Sequence, residues 1–276
     1  MAEPLTSSEP ERTSVVSEQR LVVENKYGEK LVGVLHSTGS KEVVVLCHGF
    51  RSTKEDKVMT NLVAALTTNG ISAFHFDFSG NGESEGVFEF GNYRKEAEDL
   101  HAVVVYLSKI HEIGAILGHS KGGNVVLLYA SMYHDVGTVI NVSGRFALDR
   151  GIKERLGEDF MLRIKRDGYI DVMNKTGTLD FRVTEESLLD RLNINMHEAC
   201  LSIDNRCRVL TVHGSSDEVI PVEDAFEIAK LIRNHKLHIV EGANHCYTEH
   251  QEELASAVLD FMKTIQGKDS SSLAQV

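Results

Sequence analysis

The stretch Leu117-Gly118-His119-Ser120-Lys121-Gly122-Gly123 decides how the chain is read. It fits Gly-x-Ser-x-Gly, with an apolar run over 114–117 before it and a helical pattern over 124–133 after it. A serine held on so tight a strand-to-helix turn brings neighbouring backbone close enough that a Cβ at Gly118 or Gly122 would clash. The same turn exposes the Ser120 hydroxyl and aims the free N–H groups of the next helix at developing negative charge. Without that context a serine here reads as a helix cap.

Working outward, β-branched and apolar runs recur at 20–25, 31–36, 42–47, 72–77, 114–118, 138–142, 208–213 and 236–241. Several, such as Val43-Val44-Val45-Leu46, are continuously apolar, as strands covered on both faces are. Between them amphipathic patterns predict helices over 56–68, 93–109, 122–133, 222–233 and 252–265. Strand and helix in alternation imply an α/β fold, a mostly parallel central sheet with helices on both faces. The turn Tyr27-Gly28-Glu29 makes the first two strands an antiparallel hairpin. The alternation breaks over 145–205. There two charged helical pieces, 149–167 and 185–200, flank a hairpin predicted over 169–173 and 179–183. This is read as an inserted cap that leaves from a strand end, where open α/β sheets bind their ligands. Its apolar members need something to cover, and Phe146 and Tyr169 are taken as substrate-binding candidates. Residues 1–19 and 267–276, rich in Ser, Glu, Thr and Gln, read as disordered tails around a domain at 20–266.

Three further segments arrive in an informative order. Val45-Leu46-Cys47-His48-Gly49-Phe50 closes an apolar strand with His-Gly, and N–H groups just after such a strand supply half of an oxyanion hole. Val212-His213-Gly214-Ser215-Ser216-Asp217 sets a carboxylate past a later strand, with Glu218 and Asp224 near enough to substitute. Val240-Glu241-Gly242-Ala243-Asn244-His245 sets an imidazole in the loop after the last strand. The order Ser120, Asp217, His245 resembles that of the α/β-hydrolase superfamily, and the resemblance runs from about residue 21 to 265. The loop Asp77-Phe78-Ser79-Gly80-Asn81-Gly82 is similar to the Gly-rich turn after that family's fourth strand.

The resemblance implies Ser120 as nucleophile, His245 as general base and then acid, and Asp217 as the group orienting the imidazole. It implies the backbone N–H groups of Phe50 and Lys121 as the oxyanion hole. His-Gly-Phe with Gly-His-Ser-x-Gly-Gly and a small cap resembles the cinnamoyl and feruloyl esterases. That subgroup implies a serine esterase cleaving carboxylic esters of small or aromatic, hydroxycinnamoyl-type acyl groups through an acyl-enzyme. Lys121 departs from the subgroup's usual Gln or Met and brings a cation to the site. The same residues also serve thioesterases and acyltransferases, and a non-catalytic small-molecule receptor of hydrolase fold is a third alternative.

Composition bounds the rest. The 276 residues carry 29 Lys plus Arg against 41 Asp plus Glu, a net charge of −12. Such a balance argues against sequence-independent binding to nucleic acid or anionic membranes. No apolar run of about 18 residues is present, so no transmembrane helix is expected. The acidic first residues read as neither a secretory signal nor a transit peptide. Four cysteines without metal-ligand spacing or disulfide density read as thiols of a cytoplasmic protein, with Cys246 taken as packing. The loop at Gly80 and Gly82 lacks the third glycine of a dinucleotide cradle, so no nucleotide, metal or other cofactor is expected. The expected partner is a small-molecule ester.

Overall fold

The continuous apolar strands resolve into two interleaved faces. In β3 (Glu42–Cys47), Val43, Val45 and Cys47 pack beneath α2 (Tyr93–Leu107) and α3 (Lys121–Tyr133), while Val44 and Leu46 pack beneath α1 (Lys57–Thr68) and α9 (Gln251–Ser272). A strand with helices on both sides needs apolar residues at every position, which is why period-2 alternation is missing there. The computed structural model describes residues 16–272. Residues 1–15 of the expected N-terminal tail and 273–276 of the C-terminal one lie outside the described residues.

The remaining elements are β1 (Ser17–Glu24), β2 (Lys30–Ser37), β4 (Ser72–Phe76), β5 (Glu112–His119), β6 (Thr138–Val142), β9 (Arg208–Gly214), α8 (Glu223–Leu231) and β10 (His235–Val240). Between β6 and β9 lie α4 (Ile152–Leu156), α5 (Phe160–Asp167), β7 (Tyr169–Met173), β8 (Leu179–Thr184), α6 (Glu185–Leu192) and α7 (Met196–Ser202). The main sheet has the order β1-β2-β4-β3-β5-β6-β9-β10. The β1–β2 and β2–β4 pairings are antiparallel and the others parallel. From β3 the chain goes through α1 to β4 on one side, then returns through α2 to β5 on the other. That reversal opens a crevice at the carboxyl ends of β3 and β5, the place where such sheets bind ligands. Phe50 follows the first of these strands and Ser120 the second.

The cap has its own small core, in which Ile152, Leu156, Phe160, Phe181 and Leu188 pack with Phe90. Three expectations need correction. The helical piece 149–167 is split at Gly157, where φ is +92°, a backbone state that glycine enters freely. The piece 185–200 is also split, and Asn195 caps a separate α7. Met196, Ala199 and Cys200 of α7 bury in the main core, so this helix belongs to the sheet layer and the cap is shorter than 145–205. Its apolar residues recur every three to four positions, a stripe that only a packed layer can cover. The expected tails are shorter as well. β1 starts at Ser17, because ladder hydrogen bonds to β2 need no apolar side chain. α9 continues past Gly267 to Ser272, since a helix once nucleated propagates over polar residues. No described helix is long and apolar enough to cross a membrane.

Candidate active site

Ser120 sits between β5 and α3 with φ +57° and ψ −119°, a conformation that side-chain-bearing residues avoid. Its N–H donates to the carbonyl of Val142 at 2.8 Å, and its own carbonyl accepts from Asn124 N–H at 3.3 Å. The crowding around the turn is what the two glycines relieve. A Cβ on Gly118 would lie 2.0 Å from the Gly122 carbonyl oxygen, and one on Gly122 would lie 2.3 Å from that of Cys47. The Ser120 side chain does not cap α3. Its Oγ lies 2.9 Å from His245 Nε2 instead.

His245 is fixed at four points. Nδ1 lies 2.7 Å from Asp217 Oδ2. A carboxylate only accepts, so Nδ1 carries the proton and Nε2 is left bare to accept from the Ser120 hydroxyl. The backbone N–H of His245 donates to Glu218 Oε2 at 3.2 Å, and its carbonyl accepts from His119 Nε2 at 2.9 Å. Asp217 lies just past β9 with its side chain buried. Its Oδ1 accepts from the N–H groups of Val219 and Ile220 at 2.9 and 2.8 Å, and His213 Nε2 approaches Oδ2 to 3.3 Å. Burial pushes this carboxyl up, but hydrogen bonds from His213 and His245 outweigh it and hold the group well below the usual carboxylate range. Of the three acids open to this role, only Asp217 meets the imidazole. Glu218 takes the backbone amide, and Asp224 takes Arg150 and the Phe146 N–H.

Phe50 and Lys121 both line the pocket at Ser120. Among the described residues neither backbone N–H has a hydrogen-bond partner, so both are open to an oxyanion. A Cβ on Gly49 would stand 3.2 Å from Ser120 Cβ, which brings the loop after β3 directly against the nucleophile. His48 braces that loop. Its Nδ1 donates to the Gly49 carbonyl at 2.8 Å and its Nε2 accepts from Phe78 N–H at 3.1 Å. Burial pushes the His48 imidazole down to about 4. The Lys121 side chain is buried, with its Nζ 2.7 Å from Glu96 Oε1 and 4.9 Å from the Tyr93 ring centre. Burial pushes the Glu96 carboxyl up to about 7 against the pull of Lys121.

Two of the expected substrate-binding residues stand away from the Ser120 pocket. Phe146 packs against the main core beside His197, and Tyr169 lies exposed on the cap hairpin beneath the Arg182 guanidinium. Each is drawn off by a nearer partner, and neither lines the Ser120 pocket. Cys246 is exposed, not packed, and the partial burial of its thiol, then the charge of nearby Asp56, raise it, so it is no thiolate rival to Ser120. The pocket brings in residues that sequence reading missed, Arg145, Arg155 and Arg191 among them. Arg145 had a signal, standing at the carboxyl end of β6. Arg155 and Arg191 lie in charged runs that look like any solvated face.

A family model described as serine aminopeptidase, S33, matches residues 38–171, a stretch that contains Phe50 and Ser120 and ends before Asp217 and His245. An uncharacterized protein of Saccharomyces cerevisiae, YDL057W, is 23% identical over 227 residues, covering 75% of this chain and 69% of that one. Est1E of Butyrivibrio proteoclasticus, solved with ferulic acid bound, is 23% identical, with a TM-score of 0.72 over 88% of this chain and 98% of its own. GrgF of Penicillium sp. sh18 is 20% identical, with a TM-score of 0.75 over 90% and 98%. The esterase Pf2001 of Pyrococcus furiosus is 20% identical, with a TM-score of 0.70 over 95% and 98%. At these identities the likeness establishes the architecture.

Proposed function

We propose that this chain, an α/β-hydrolase by fold, is a serine hydrolase that cleaves carboxylic esters of short acyl groups through an acyl-enzyme. The observation that carries the reading is the hydrogen-bonded run Ser120 Oγ, His245 and Asp217 beside two unpartnered amides in one pocket. In the reaction, Ser120 Oγ bonds to the ester carbonyl carbon as His245 Nε2 takes its proton. Negative charge on the carbonyl oxygen is met by the Phe50 and Lys121 N–H groups, and the imidazolium is held by Asp217. Collapse expels the alcohol, which takes the proton from His245. Water then repeats the sequence on the acyl-enzyme and releases the acid.

Size supports the short-acyl part. The cavity at Ser120 holds about 70 Å³, against roughly 300–1,000 Å³ for pockets that enclose drug-sized ligands. The hydroxycinnamoyl group implied by the resemblance is therefore the more demanding substrate, and methyl ferulate tests it. The substrate is read as a dissolved small molecule met in the cytoplasm, away from nucleic acid and membrane, on the strength of the net charge of −12 and the sparse cysteines. The test is hydrolysis of p-nitrophenyl acetate by the wild type and by Ser120→Ala. The expected loss is on the order of 10⁶ in kcat. Retention of a few per cent of wild-type turnover by the variant contradicts the assignment.

A further inference from the structure

The pocket beside Ser120 holds more positive charge than its surroundings balance. Lys121, Arg145, Arg155 and Arg191 line it together with Ser120 and Phe50. Lys121 is matched by Glu96 at 2.7 Å. The arginines are not matched: among the described residues none of the three has a carboxylate within 4.0 Å. The contrast with the other arginines of the cap region is sharp. Arg150, Arg163, Arg166 and Arg182, which do not line the pocket, each have a carboxylate partner, at 3.2, 3.6, 2.7 and 2.6 Å.

The three guanidinium groups are held in place largely by neutral groups. Arg191 is 8% exposed and donates to the carbonyls of Leu148 and Arg150 at 2.8 and 3.2 Å. Arg145 donates to the carbonyl of Val219 at 2.6 Å. Arg155 lies over the Phe50 ring at 4.5 Å, with no hydrogen bond among the described residues. Each guanidinium has five N–H donors, so most of them lack a protein acceptor. Burial first, and then the charge of Arg191, push both Arg145 and Arg155 below the usual guanidinium range. Arginine does not escape such crowding by losing its proton. What relieves it is a bound anion, and the guanidinium fork fits a carboxylate or phosphate with paired hydrogen bonds.

We propose that the ester taken by this site carries a second, anionic group, a carboxylate or phosphate, which Arg145, Arg155 and Arg191 hold while Ser120 attacks the ester carbonyl. The proposal rests on the serine hydrolase reading and narrows its substrate class. The anion is not altered in the reaction; it anchors the substrate. A cavity of about 70 Å³ keeps the two functional groups a few carbons apart.

Matched ester pairs test it. Monomethyl glutarate against methyl pentanoate places a carboxylate on the acyl side, and O-acetylglycolate against propyl acetate places it on the alcohol side. The pair 2-acetoxyethyl phosphate and propyl acetate does the same for phosphate. In at least one pair the anionic ester is expected to exceed its neutral partner in kcat/KM by about tenfold or more, as charge-assisted hydrogen bonds allow. That ratio should collapse toward one in Arg155→Gln, which removes no hydrogen bond from the fold, and in Arg145→Gln. Neutral esters matching their anionic partners in every pair, or an unchanged ratio in Arg155→Gln, overturns the proposal. In that case neutral-ester turnover lost in Ser120→Ala leaves the serine hydrolase reading standing. If no ester is hydrolysed at all, that reading fails, and calorimetric titration with glutarate and with inorganic phosphate judges the anion site alone. Binding that weakens in Arg155→Gln supports it; no binding overturns it.

Discussion

At the scale of single residues, strain and hydrogen bonding meet at Ser120. Its positive φ is an unfavourable state held by the Val142 carbonyl and by the close turn at Gly118 and Gly122. Two neighbouring carboxyls have different parts here, and mutation separates them. Asp217→Asn should cost roughly 10⁴ in kcat, because the amide no longer fixes the Nδ1–H tautomer of His245. Glu218→Gln keeps an oxygen for the His245 backbone amide and should stay within about tenfold of wild type. Steady-state kinetics on one ester checks both, and the reverse order would move the acid by one residue. His119 supports a pH prediction. Burial, then the charge of His245, push its imidazole from 6.5 down to about 4. Between those values the unfolded chain takes up a proton that the folded chain does not. The His119 contribution to stability is therefore fully present above about pH 6.5 and is lost as pH drops toward 4. His119→Gln cannot charge, so its urea midpoint should drop less than wild type between pH 7 and 5, by the equivalent of about 2 kcal/mol. A slope unchanged from wild type contradicts this. Ser120, Asp217 and His245 were legible because each stands in a loop just beyond an apolar strand. The pocket arginines were not, since charge alone does not say which way a side chain faces.

At the scale of elements, the layered body was legible and the cap only in part. Continuous apolar runs and their spacing carried the sheet, because burial on both faces leaves a mark on every residue. In the cap, Gly157 and Asn195 divide helices that composition alone runs together, and α7 joins the main core through contacts that local pattern does not contain. The cap also reaches the loop after β3. Phe181 of β8 meets Phe50 edge-on at 5.7 Å, Phe88 at 5.7 Å and Phe90 in a stack at 6.2 Å. Phe181→Ala should cost about 3–5 kcal/mol, the usual loss for an emptied aromatic site. It should also lower kcat/KM, because Phe50 carries one of the two amides assigned to the oxyanion. Urea denaturation and ester kinetics on the same preparation check both parts. A destabilised variant with wild-type kinetics would show that the cap does not act through the Phe50 loop.

At the scale of the whole molecule, an acidic chain of net charge −12 encloses a cationic pocket. The sign of the whole was legible and the sign of the site was not, because opposite charges sort by position only once the chain is folded. Body and cap together leave a small space at Ser120, so rate should depend on acyl length. From p-nitrophenyl butanoate to the decanoate, kcat/KM should fall by about tenfold or more, as a pocket far below the usual ligand size requires. A rate that climbs to the longest chain contradicts so small a pocket. The central claim is that Ser120 is a nucleophile activated by His245 and Asp217. Its most direct test is mass-spectrometric mapping of the folded protein after treatment with a fluorophosphonate. The account predicts one adduct per chain, on Ser120, absent in Ser120→Ala and formed far more slowly in His245→Ala. No adduct, or an adduct on another residue with Ser120 unmodified, contradicts it.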